Sequence, residues 1–462
     1  MKLGQGRPKL TEDPIGKSIT SLMWPMMIGM VAIMSYNIVD TYFIGQIGTM
    51  ELAAVSFTFP VAFIVGAISM GLGIGTSSVA SRLFGSKELG QIQRITTHSA
   101  MLALIVGTCV LILGLNTIEP VFRLLGADDT TLPLIERYMS IYYFGSFFLI
   151  VPMIGNSVLR ASGDAKTPSY LMTAGALLNV VLDPILIFGW GPVPAMGIEG
   201  AAYATVFANA LAGSISFGII YFRDHLIRWN TQDMRLIFDS WRRIMHVGIP
   251  SMASSLVAPL TTAFITWQVA QFGQEAVAGF GVASRVEGMS LMALMALGAA
   301  VTPFAGQNYG AKLYDRVMGG MRFAYRWSMI YGTVLAVVFF FASSHIGQLF
   351  TDNPKAIATA SMHLGLVPWS YGFLGMSMIS VSAFNAVGKP TPGMLISMSR
   401  TIGVYAPLAF LLAYLLELRG VFLAAFSANI IAGLLGYFWF RYAMKPYFVT
   451  QPEAETASPG QA

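Results

Sequence analysis

Residues 52–81 read LAAVSFTFPVAFIVGAISMGLGIGTSSVAS, thirty residues without a charge, and RLFGSKE (82–88) follows at once. A hydrocarbon core of about 30 Å takes about 20 apolar residues per helix. This stretch therefore predicts one helix that crosses a bilayer and ends at a charged surface. A strand of a membrane barrel would be about 10 residues long and would alternate; this run does neither. Similar runs recur along the chain. They predict an all-α integral membrane protein of about twelve spans, over 18–45, 52–81, 96–118, 134–158, 168–190, 199–222, 243–272, 276–305, 321–344, 359–385, 393–416 and 421–444.

Composition agrees. Of 462 residues 55% are hydrophobic and only 11% charged, and the mean hydropathy is +0.65. A soluble globular chain carries roughly 25% charged residues, so most of this surface does not face water. The net charge of +5 does not point to nucleic acid, because the basic residues sit in short loops and not on one face. The single cysteine, Cys109, excludes an internal disulfide. The opening MKLGQGRPKLTEDPIG is polar and the apolar run after it is too long for a signal core, so no cleavable leader is expected.

Orientation follows from the loops. Of the 27 Lys and Arg, 22 fall on one side, among them Lys2, Arg7, Arg82, Lys87, Arg160, Arg243, Lys312, Lys389, Arg400 and Arg441. Four fall on the other (Arg123, Arg137, Lys355 and Arg419), and Arg285 lies inside a span. The basic side is expected to be cytoplasmic, which places both termini there.

The chain also repeats itself. Pro25 and Pro250, Gly48 and Gly273, Gly85 and Gly310, and Gly163 and Gly388 are each 225 residues apart. Small deletions then shift the offset: 224 for Pro168 and Pro392, and 220 for Asn209 and Asn429. Each half holds an even number of spans, so both enter from the same side. The repeat is parallel, an arrangement typical of secondary transporters with a pathway between the halves. The expected lobes are residues 1–228 and 229–448, followed by a polar cytoplasmic tail, 449–462.

The repeated segments carry a resemblance. WPMMIG (24–29), NIVDTYFIGQIG (37–48), LRASGDAKTP (159–168), LLNVVLDPILIFG (177–189), MGIEGAAYATV (196–206), PFAGQNYGAK (303–312) and NAVGKPTP (385–392) together resemble the multidrug and toxic compound extrusion (MATE) family over essentially the whole chain. Within it they look closest to the DinF-like branch. The resemblance implies two six-helix lobes around a central cavity, in a prokaryotic inner membrane. It implies export of amphipathic, often cationic compounds in exchange for Na⁺ or H⁺, with no other cofactor and with a monomer as the working unit. It places cation or proton coupling at Asp40, Asn179, Asp183 and Thr205, with Tyr138 beside them, and bending of the first helix at Pro25. If Na⁺ is the ion, Asp40, Asn179, Asp183 and Thr205 are the expected ligands. NorM-like members place acids in the second lobe as well; 262–273 and 365–386 hold none here.

The residues themselves point the same way. Ionisable groups inside spans are costly and mark function; here they are Asp40, Asp183, Arg285 and Glu287. Asn37 and Tyr36, three and four residues before Asp40, are expected on its face. Asn179 and Asp183 stack at i, i+4, and Pro184 frees the Val180 carbonyl. Two carboxylates, an amide and spare oxygens suit a hard cation or a shared proton. The repeat acts as a control: Asp40, Asn179, Asp183 and Thr205 correspond to Ile265, Ile402, Ala406 and Ala425. Features of the fold recur in both halves, whereas features of coupling need occur only once. Arg285 and Glu287, at i, i+2, cannot pair with each other, so each is expected to find an ionic partner on another helix or to line the cavity. A lipid-linked-oligosaccharide flippase of a related superfamily is the alternative, though it would favour about fourteen spans and a basic cavity. No enzyme is expected, since His98, His225, His246, His345 and His363 are scattered.

Overall fold

The computed structural model describes residues 9–228 and 233–449; Lys2, Arg7 and the tail beyond Val449 lie outside the described residues. The first half runs α1 (Ile15–Ile47), α2 (Thr49–Ser86), α3 (Leu89–Leu124), α4 (Leu132–Ala161), α5 (Lys166–Phe188) and α6 (Ile198–Gly218), closed by a π turn at Ile219–Arg223. The second runs α7 (Met234–Ala270), α8 (Gln274–Gly310), α9 (Tyr314–Phe350), α10 (Pro354–Leu366), α11 (Tyr371–Ala386), α12 (Pro390–Met398) and α13 (Ala406–Val449). Among the described residues, eleven helical stretches are long and apolar enough to cross a membrane.

Three expected spans differ in detail. The tenth is α10 and α11 joined by a 3₁₀ turn, Val367–Ser370, because Pro368 cannot donate in a regular helix. The eleventh and twelfth form one helical stretch that breaks at Glu417, where φ is 54° and ψ is −137°. Beyond that point a Cβ on Gly420 would overlap the Leu412 carbonyl. Eight residues of straight helix would separate these positions by about 12 Å, so the chain folds back here and two spans lie side by side.

The repeat is written into the backbone. Lys87 and Lys312, 225 apart, both end their helices at φ 60°. Gly163 and Gly388 turn at φ 92° and 76° in matching loops, a conformation that a side chain would strain. Pro25 and Pro250 both stand inside continuous helices.

The two halves meet unevenly. At the end opposite the basic loops, one hydrophobic core gathers first-half residues alone, such as Ile44, Phe122, Tyr143 and Ile198. Another gathers second-half residues alone, such as Phe280, Leu364 and Phe422. At the basic end the cores are shared. Ile19, Leu22 and Met23 pack with Ala296, Val301 and Phe304, and Leu72 and Val79 pack with Ile244.

The closest approaches there are reciprocal. Arg82 donates to the Ala386 carbonyl at 3.3 Å, and Gln307 donates to the Ala161 carbonyl at 2.7 Å. Position 82 corresponds to 307 and position 161 to 386 by the same offset of 225. Gly85 packs on the Gln307 backbone and Gly310 on the Arg82 backbone. The halves are thus clamped about a pseudo-twofold axis at the basic end, and each keeps its own core at the other.

Candidate coupling site and the space between the halves

Asn179 and Asp183 lie one turn apart on α5, both buried, at 2% and 0% exposure. The Asn179 amide is satisfied at both ends when its nitrogen donates to Asp183 Oδ2 at 3.1 Å and its oxygen accepts from the Thr205 hydroxyl and backbone N–H, each at 3.2 Å. Thr205 on α6 thus orients Asn179, which in turn orients Asp183. Asp40 on α1 stands within electrostatic reach of Asp183, and both reach Tyr36 of α1 and Tyr138 of α4. Tyr138 is buried and stacks on Tyr142 at 6.4 Å between centroids. Asp40 Oδ1 and Asp183 Oδ1 are both buried and have no hydrogen-bond partner. An unpaired carboxylate oxygen away from water is expensive, and a proton or an oxygen-seeking cation would remove that cost.

Six of the sequence candidates therefore converge: Asp40, Asn179, Asp183, Thr205, Tyr138 and Tyr36. Asn37 does not join them. It is exposed, and its amide donates to the Ile33 carbonyl of its own helix at 2.9 Å.

Among the described residues, the second-half positions that match this cluster, Ile265, Ile402, Ala406 and Ala425, carry no polar side chain. At the positions matching Asn179 and Asp183 the chain forms a π turn, Ser399–Tyr405, followed by Ala406. Arg400 sits in this turn, not in the basic loop expected for it. Its Nη1 lies 3.3 Å from Asn429 Oδ1, and Asn429 donates to Ser370 at 2.9 Å.

Glu287 of α8 faces the same interior and meets the His363 Nε2 at 3.1 Å. The His363 ring is wedged edge-on against Phe280 and Phe422, at 5.4 and 4.9 Å. The expected partner for Glu287 thus exists, but it is a histidine 76 residues away in sequence, which no local spacing announces. For Arg285 the expected ion pair is absent: among the described residues it makes none, and it is exposed.

A helical membrane protein made of two pseudo-symmetric lobes, with buried carboxylates in one lobe and with the lobes sharing their cores at one end only, has the form of a secondary transporter. The family comparisons agree. The MatE family model matches residues 25–185 and again 250–411, and the two matches begin at the repeat prolines Pro25 and Pro250. The chain belongs to the multidrug and toxic compound extrusion family. It is 34% identical to a FAD transporter of Shewanella oneidensis over 96% of this chain and 98% of that one. It is 25% identical to the probable multidrug resistance protein YoeA of Bacillus subtilis, over 96% and 97%. Among solved structures, the Vibrio cholerae MATE transporter VcmN in its bent form superposes with a TM-score of 0.90 at 30% identity, covering 94% of this chain and 98% of that one. The protein is a multi-pass membrane transporter of the multidrug-efflux type, and not an enzyme.

Proposed function

We propose that the chain is a secondary antiporter of the prokaryotic inner membrane, exporting amphipathic organic compounds in exchange for Na⁺ or H⁺. The observation that carries this is the pair of buried, unpartnered oxygens on Asp40 and Asp183. Loading them with the coupling ion changes the charge buried in the first lobe. Only a ligand with different affinities for two states can shift the balance between them. Asn179 and Thr205 complete the ion site, Tyr36 and Tyr138 wall it, and bending of α1 at Pro25 is the motion the ion would bias. The lobes are residues 1–228 and 229–448, and the working unit is a monomer. Substrate crosses through the space between the lobes, which the basic-end clamp closes on the cytoplasmic side.

Family membership favours extrusion over the flippase alternative. Cationic drugs are the expected cargo by the multidrug relatives. The relative named a FAD transporter supports an aromatic, phosphate-bearing anion as a second cargo.

The test is transport in proteoliposomes with Na⁺ and pH gradients imposed separately. One of the two gradients is expected to drive substrate movement. No response to either would remove the antiport reading. Topology is checked independently. Cysteines at Thr130 and Asn353, in a background lacking Cys109, should label from outside intact cells, while one at Ser86 should not. A probe at Gln232, expected to stay unlabelled, lies outside the described residues. The reverse labelling pattern would overturn the orientation.

A further inference from the structure

Arg285 belongs to neither the coupling cluster nor the Glu287–His363 pair. It is the twelfth residue of α8, about 17 Å along the helix at 1.5 Å per residue. A cation at such depth is costly unless it faces water or a partner, and among the described residues it has no ionic partner.

Its direction follows from the helix. Eighteen residues make five turns, so Arg285 stands above Pro303, on the same side of the helix as Gly306 and Gly310. That side meets the first lobe: Gly306 lies on Ser81, and Gly310 on the Arg82 backbone. Glu287, about 200° round the helix, points back into its own lobe. At the level of Arg285 the core around α8 is built from the second lobe alone. No first-lobe residue belongs to that core, and Arg285 is exposed on the side that looks toward the first lobe. A Cβ on Gly281 or Gly288, a turn to either side, would have nothing within 4 Å. Across the gap, the stripe of α2 that reaches Ser78 and Arg82 at the basic end presents Pro60 and Ile64 at this level, both exposed and both apolar.

A permanently charged guanidinium opposite an apolar wall is built for an amphipathic anion. It forks onto a carboxylate, sulfonate or phosphate, while the wall takes an apolar body. We infer that Arg285 anchors the acidic head of an anionic amphipathic substrate in the space between the lobes. This rests on the reading of that space as the substrate path. It gives the path an anionic preference, where cationic cargo is the ordinary expectation.

The test uses three probes of one ring size on the purified full chain: anthracene-9-carboxylate, 9-anthracenemethanol and 9-(aminomethyl)anthracene. Binding is read by tryptophan fluorescence quenching, corrected against empty micelles. The carboxylate should bind about tenfold more tightly than the neutral alcohol, with a gap that narrows as salt rises, and the amine should bind more weakly than either. Arg285→Gln should bring the carboxylate down to the level of the alcohol and leave the alcohol unchanged, while Arg285→Lys should keep most of the preference. Melting curves for both variants should match the parent, since no ion pair is lost. A parent that favours the amine, or an Arg285→Gln variant that still favours the carboxylate, overturns the inference. Because binding is read without a gradient, a failure of ion coupling would leave this result untouched.

Discussion

Asp40→Asn and Asp183→Asn should each reduce gradient-driven export to the empty-vector level while the folded protein remains in the membrane. Asparagine keeps the size of the side chain and its hydrogen-bonding capacity. It removes the charge and the titratable proton. At both positions the lost atom character is that of a buried carboxylate oxygen without a partner, so the substitutions remove the proposed ion site and spare the packing. The second lobe provides the control. Ile265 and Ala406 occupy the repeat-equivalent positions, and Ile265 packs against an apolar core. Ile265→Val should cost about 1 kcal/mol of stability and leave coupling intact, as should Ala406→Gly. Pro25→Ala and Pro250→Ala should both impair the protein, since both halves share that feature. Efflux of a fluorescent substrate, corrected for expression, is the measurement. Near-normal export by the double Asp40→Asn, Asp183→Asn variant would refute coupling through the first lobe.

The spans, the basic side and the repeat could all be read from the sequence, because bilayer thickness and loop charge act on local composition. The carboxylate cluster was legible for a related reason: Asn179 and Asp183 are one turn apart, and a carboxylate inside an apolar run has few explanations. What could not be read depends on which way a side chain turns. In a membrane protein both the lipid-facing and the buried faces are apolar, so α2 carries no stripe that reveals its partner. Asn37 has the right spacing to join Asp40, yet it spends its amide on its own helix. His363 looks like one of five scattered histidines until the fold brings it to Glu287. The reversal at Glu417, by contrast, was legible, because the short ELRG stretch (417–420) separates the expected spans 393–416 and 421–444. The reciprocal clamp at the basic end did leave a mark. Gly85 and Gly310 announced the repeat, but only the fold shows each of them lying on the other's helix.

That clamp yields the last prediction. Gly85→Ala or Gly310→Ala should drive the transporter out of the state that is closed at the basic end. The added Cβ meets backbone, the Gln307 or the Arg82 carbonyl, and not the tip of a movable side chain. Overpacking of this kind costs about 1–3 kcal/mol. If the clash exists in one state only, a penalty near 3 kcal/mol moves the balance between states by roughly a hundredfold. Transport requires both states, so export should fall about tenfold or more. Ser78 reports on the same event. It is fully buried between the halves and hydrogen-bonded to the Asn385 carbonyl. In a background lacking Cys109, a Ser78→Cys thiol should resist labelling in the parent and react quickly once Gly310→Ala is added. Gly66→Ala is the matching silent change, because its Cβ would meet nothing within 4 Å. A Gly310→Ala protein that exports normally and still protects the thiol would show that the glycine contact does not hold the end shut.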